Sequence, residues 1–165
     1  MIFVTVGTHE QPFDRLIKEI DMLVKNRIIE EKVIIQRGYS NYIPKYCVSE
    51  KFLSHRDISK DVSDARIVIT HGGPSSFIMP LQMHKIPIVV PRLSKFNEHV
   101  NNHQLEFVRL VAERKKNILV VEDIKDLGKI IENYNNEVNH LDKDLNSNNF
   151  EFNKRLQELV DGLFR

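Results

Sequence analysis

Ala65-Arg-Ile-Val-Ile-Thr-His-Gly-Gly-Pro-Ser-Ser76 is the stretch whose reading decides the fold. Ile67 to Thr70 is a short β-branched run, too apolar for a sheet edge and bounded at once by two glycines, so it predicts a buried parallel strand. The glycines let the chain turn without a Cβ clash, Pro74 suits the first position of a helix, and Ser75 and Ser76 fall in its first turn. Free backbone N–H groups and the positive end of a helix dipole then meet above the carboxyl end of a strand, which makes an anion site. An ordinary capped strand-to-helix turn has the same pattern. The next segment separates the two readings. Ile88 to Val90 predicts a second buried strand between Pro87 and Pro91, and the following loop delivers Glu98, His99, Asn102, His103 and Gln104 to the start of the next helix. One loop made for phosphate beside one rich in sugar-binding polar groups points to a nucleotide.

Upstream, Ile2 to Val6 predicts a first strand, then the loop Gly7-Thr8-His9-Glu10-Gln11, then a helix marked by Pro12 and by Phe13, Leu16, Ile17, Ile20 and Leu23 at helical spacing. That loop lacks Gly-x-Gly-x-x-Gly, which disfavours an NAD-dependent enzyme. Val33 to Gln36 predicts the second strand, Tyr46 to Leu53 holds a short third, and Asp57 to Ser63 makes a short helix. Downstream come a helix over His103 to Arg114, a sixth strand at Ile118 to Val121, and a helix marked by Ile124, Leu127, Ile130 and Ile131. Strands alternating with helices predict an α/β fold, a single Rossmann-like doubly wound parallel sheet. With the common order 3-2-1-4-5-6, strands 1 and 4 are neighbours, and the Gly7 and His71 loops face each other across one crevice.

The chain has 165 residues, 41% apolar and 28% charged, enough for one domain with a sizeable core. A formal charge of +1 gives no electrostatic case for a nucleic-acid partner. The single Cys47 fits a reducing cytoplasm and a structural role. No apolar run approaches the ~20 residues of a membrane span, and no signal peptide precedes the first strand. Residues 1–132 are read as the nucleotide-sugar-binding domain, 133–149 as a flexible Asn-rich connector, and 150–165 as an amphipathic helix with Phe152, Leu156, Leu159, Val160 and Leu163 on one stripe. That helix either packs on its own sheet or docks on another subunit.

The start Phe-Val-Thr-Val-Gly-Thr-His-Glu-Gln-Pro-Phe-Asp-Arg-Leu16, the turn His-Gly-Gly-Pro-Ser-Ser76 and the close Glu-His-Val-Asn-Asn-His-Gln104 resemble the carboxyl-terminal half of family 28 glycosyltransferases. More narrowly, they resemble the small Alg13-like subunits of bacterial capsule and exopolysaccharide synthesis. The resemblance implies half of a GT-B glycosyltransferase: a donor-binding chain that works with an Alg14-like membrane-anchored subunit, which recruits a lipid-linked saccharide acceptor. It implies transfer of a hexose from a UDP-sugar, which is substrate rather than cofactor, with no cofactor of its own. The chain would then lie in the cytoplasm, at the inner face of the membrane through its partner, and be incomplete as an enzyme alone. A lone subunit could also self-associate through its unpaired cleft face. A non-catalytic nucleotide-sugar-binding or scaffold subunit is the alternative.

Against that chemistry, Gly7, Thr8, Gly72, Gly73, Ser75 and Ser76 would supply donors to the departing diphosphate. The resemblance implies that His103, Gln104 and Glu98 hold the donor sugar or ribose. Where many relatives carry a Glu after the glycine turn, this chain has Met79, which shifts ribose contact to Glu98 or Gln82. His9 and Glu10 are candidate catalytic bases, and the acceptor half is a third source. His71 either touches the ligand or orients the turn. Glu98-His99-x-x-x-His103 has two histidines at metal-like spacing but no third ligand, so no metal is expected. The Arg109 to Lys116 patch reads as solvated helix capping, with contact to anionic lipid as the alternative. The Arg92 to Phe96 loop reads as an exposed, functional rim.

Overall fold

The computed structural model describes residues 1–141 and 149–163. Its strands are β1 (Ile2–Thr5), β2 (Val33–Gln36), β3 (Val48–Glu50), β4 (Ile67–His71), β5 (Ile88–Val90) and β6 (Leu119–Val120). Its helices are α1 (Asp14–Lys25), α2 (His55–Asp64), α3 (Pro74–Gln82), α4 (His103–Lys115), α5 (Leu127–Glu132), α6 (Tyr134–Asn139) and α7 (Asn149–Leu163). The six strands form one sheet in the order β3-β2-β1-β4-β5-β6, every pairing parallel. This is the expected single Rossmann-like doubly wound sheet. Thr5 sits opposite Gln36 on one side and Thr70 on the other, so the order reverses at β1 and β4. Ligands of such sheets bind at that point, outside the carboxyl ends of the strands.

The central strands are apolar on both faces because helices cover both, whereas the edge strand β3, Val-Ser-Glu, is largely exposed. Side chains alternate across the pleat. Ile2, Val4, Ile67, Ile69, Ile88 and Val90 point to the layer holding Leu16, Ile17 and Ile20 of α1 and Leu127 and Ile131 of α5. On the opposite face, Val89 packs with Phe77, Leu81 and Val108 of α3 and α4, and Phe3 and Val68 pack with Val62 of α2. Each such side chain contributes roughly 1.5–3 kcal/mol when fully buried.

Asp21, inside α1 and buried, fastens the segment before β3. Its carboxylate accepts from the Tyr42 hydroxyl at 2.7 Å and from the Lys45 and Tyr46 N–H groups at 2.9 and 2.7 Å. Burial alone would raise its pKa, but these donors reverse the shift and hold the carboxyl below its ordinary range. Nearby, burial and the Asp21 charge push the Cys47 thiol up to about 12, so it stays protonated.

Two expectations change here. The flexible connector does not begin at Asn133: α6 covers Tyr134–Asn139, and the buried Tyr134 donates its hydroxyl to the Ile86 carbonyl at 2.6 Å. One aromatic ring inserted into the core anchors a stretch whose composition is otherwise polar. The remainder of that segment, 142–148, lies outside the described residues. The expected exposed rim is also half wrong. Arg92 is 1% exposed and Leu93 is buried, whereas Phe96 is 49% exposed. In α7, Leu156, Leu159 and Val160 are exposed, and no described helix is long and apolar enough to cross a membrane.

Candidate functional site

At the reversal point, the loop after β1 and the turn after β4 touch through one imidazole. Gly7 has φ +74°, and a Cβ there would sit 2.4 Å from His71 Nε2. A Cβ on Gly73 would sit 2.3 Å from His71 Cε1. Only glycine at both positions lets the His71 ring lie between the loops. Its Nδ1 accepts from the Gly73 N–H at 3.0 Å, so the neutral ring carries its proton on Nε2 and donates to Ser76 Oγ at 2.6 Å. Burial, and then the Arg92 charge, lower the His71 pKa to about 4, which keeps the ring neutral. His71 therefore orients the turn, and Ser76, with its oxygen already accepting, has its own O–H left to donate.

Two crevices flank this turn. The first, of about 430 Å³, is lined by Gly7, Thr8, His9, Ser75 and Ser76, with Met79 on its wall. The second, of about 530 Å³, lies across the turn and is lined by Gly72, Gly73, His103, Gln104, Glu106 and Phe107. Of the expected phosphate residues, Gly7, Thr8, Ser75 and Ser76 thus share the first crevice, while Gly72 and Gly73 lie in the second with the expected sugar residues His103 and Gln104. In the second, Gln104 is buried, its Oε1 accepts from the Arg92 N–H at 3.2 Å, and its side chain also engages the His71 ring. Glu106 is the carboxylate of that crevice, and it escaped sequence reasoning because it reads as one more exposed position of an amphipathic helix.

Glu98 faces elsewhere. It is 3% exposed, and its two oxygens take Arg15 Nε and a second Arg15 guanidinium nitrogen, both at 2.9 Å, while Oε2 also accepts from the Leu93 N–H at 3.0 Å. Buried against these three donors, the carboxylate is turned into the protein and lines neither crevice. Gln82, at the exposed carboxyl end of α3, lines neither crevice. Glu10 is exposed and also lines neither. His9 lines the first crevice, but its Nδ1 accepts from the Gln11 N–H at 3.1 Å.

Arg92 is the residue that sequence reasoning most misjudged. One terminal nitrogen donates to the Gln11 and Glu98 carbonyls at 2.7 and 3.0 Å, and the other donates to the Val6 carbonyl at 2.8 Å. The guanidinium lies over the Phe13 ring, 4.9 Å from its centroid. Burial lowers its pKa to about 10, opposed by the Glu98 charge, so it remains cationic at neutral pH. With the Arg15–Glu98 pair it braces the loop after β1 against the loop after β5. The one sequence signal is an arginine just behind Pro91 at the end of a buried strand.

His99 sits between His9 and His103, with ring centroids 4.8 Å and 5.2 Å away. Among the described residues, no group of three or more His, Cys, Asp or Glu is placed to hold a metal ion.

A model of the glycosyltransferase family 28 C-terminal domain matches residues 1–160. Over 122 residues the chain is 33% identical to the UDP-N-acetylglucosamine transferase subunit ALG13 of Homo sapiens, which covers 66% of this chain and 10% of that protein. The chain thus spans about a tenth of that relative's length. A solved structure, the glycosyltransferase SnogD from Streptomyces nogalater, is similar at a TM-score of 0.43 and 12% identity, over 84% of this chain and 39% of that one. With nearly its whole length matched, the chain belongs to the glycosyltransferase family 28 C-terminal domain family, as an Alg13-like domain.

Proposed function

We propose that this chain is the donor-binding subunit of a two-chain GT-B glycosyltransferase. It moves a hexose from a UDP-sugar to a lipid-linked oligosaccharide, in exopolysaccharide or capsule synthesis. The observation that carries this reading is the pairing of the Gly7 loop with the Gly73–Ser76 turn at the reversal point of a single sheet. In the transfer, negative charge grows on the departing diphosphate, and fixed donors aimed at that charge lower the barrier. The α3 N-terminus, the Ser75 and Ser76 hydroxyls and Thr8 provide such donors, and no carboxylate lines that crevice to repel the anion. The sugar then lies toward His103 and Gln104, with Glu106 as the acceptor for sugar or ribose hydroxyls in place of Met79.

A GT-B cleft has two walls, and this sheet makes one. The acceptor, its membrane anchorage and the catalytic base belong in this reading to an Alg14-like membrane-anchored partner, which holds the complex at the cytoplasmic face of the membrane. The exposed Leu156, Leu159 and Val160 of α7 offer an apolar surface for such a chain. Calorimetry with UDP and UDP-hexoses on this chain alone, followed by transfer assays with and without the partner, tests the proposal. UDP binding by the single chain and transfer by the pair alone are expected. Gln104→Ala should weaken UDP-sugar binding more than UDP binding. Transfer by the isolated chain, or absence of UDP binding, overturns the reading.

A further inference from the structure

The geometry points to His9 as an electrophilic hydrogen-bond donor to the diphosphate through Nε2–H, not a general base, with His99 as the residue that positions its ring. This inference rests on the donor-binding role proposed above and assigns one residue within it. A ring nitrogen that accepts a hydrogen bond carries no proton. Since His9 Nδ1 accepts from the Gln11 N–H at 3.1 Å, the neutral imidazole holds its hydrogen on Nε2. In that tautomer neither nitrogen has a free in-plane lone pair, so His9 cannot take a proton from an acceptor hydroxyl while the Gln11 contact lasts. It can donate. The ring lines the crevice that also receives Gly7, Thr8, Ser75 and Ser76, where charge on a leaving diphosphate would collect. A neutral imidazole acting as an electrophile is an established catalytic device, as in triosephosphate isomerase.

His99 supplies the support. Its ring is tilted against His9 at 4.8 Å and meets His103 edge-on at 5.2 Å, so the three rings join the loop after β1 to the first turn of α4. Burial, followed by the His9 and His103 charges, lowers the His99 pKa, which favours a neutral His99 ring between them. In the transfer itself, the bond from the sugar anomeric carbon to the β-phosphate oxygen breaks, with its electron pair going to that oxygen. The acceptor oxygen bonds to the same carbon, and its proton goes to a base on the partner chain. His9 gives up no proton; it stabilises the oxygen that receives the electron pair.

Two measurements on the full chain test this. Long-range proton–nitrogen NMR of histidine-labelled protein should show His9 as the Nε2–H tautomer, with that resonance moving on UDP addition. In calorimetry, His9→Phe, which keeps a stacking ring but removes the donor, should lower UDP affinity at least tenfold while leaving uridine affinity unchanged. His9→Gln, which restores an N–H, should recover most of the loss. His99→Phe should stay near wild type, and His99→Ala should cost a few-fold. An Nδ1–H tautomer, or His9→Phe binding UDP within twofold of wild type, overturns the inference while the donor-binding reading survives. Wild-type protein that binds no UDP overturns both.

Discussion

Two polar loops lie side by side at the carboxyl end of the sheet, and they use their polar groups in opposite ways. Around the β4 turn, Ser75, Ser76 and Thr8 line an open crevice, with His71 locked behind them as a wedge. In the β5 loop, Arg92 and Glu98 are turned inward: the terminal nitrogens of Arg92 meet main-chain carbonyls, and Glu98 takes Arg15 and one main-chain N–H. The first loop leaves donors for a ligand; the second holds the first in place. A charged side chain next to a binding site is therefore not thereby part of it, and its hydrogen-bond partners decide which role it has.

The largest effect expected from breaking this contrast is at the brace. Arg92→Met keeps much of the volume but strips donors from three carbonyls, and it should destabilise the protein by about 3–5 kcal/mol in urea unfolding. A loss below about 1 kcal/mol would show that the carbonyls find water instead. On the ligand side, the His71 wedge makes stability pH-dependent. Its folded pKa of about 4 lies below the ordinary 6.5, so the unfolded chain binds more protons between those values. Stability should be flat above pH 6.5 and fall by about 3 kcal/mol as pH drops from 6.5 to 4. His71→Gln should flatten that window in a pH series of unfolding curves, and an unchanged slope would exclude His71 as its source.

Glu98→Gln sharpens the comparison from the other side. It weakens the Arg15 pair while keeping an acceptor for Leu93, so about 2 kcal/mol of stability should go, with UDP-sugar affinity within twofold of wild type. Loss of affinity with intact stability would return Glu98 to the ligand. The smallest stability effect belongs to Ser75→Ala/Ser76→Ala, within about 1 kcal/mol, since Ser75 is exposed and Ser76 only loses a contact to His71. Its UDP affinity should nonetheless drop about tenfold by calorimetry.

Much of this molecule can be read directly from the chain. Apolar runs of four or five residues between turn signals locate the strands, helical spacing locates α1, and Gly72-Gly73-Pro74 locates the start of α3. The strand order follows once the alternation is seen, because parallel crossovers allow few topologies. What could not be read is of another kind. Arg15 and Glu98 are 83 positions apart, and nothing local marks them as partners. Tyr134 sits in an asparagine-rich stretch yet reaches the Ile86 carbonyl 48 positions away.

By itself, then, the sequence determined most of the secondary structure, the doubly wound sheet and the place of the Gly72-Gly73-Pro74 turn, because periodicity, β-branching and glycine act within a few residues. Only the tertiary structure decided which polar groups line the crevices and which face the protein. That choice depends on what long-range packing brings within about 3 Å of each donor and acceptor, where a buried charge must find a partner or forfeit several kcal/mol.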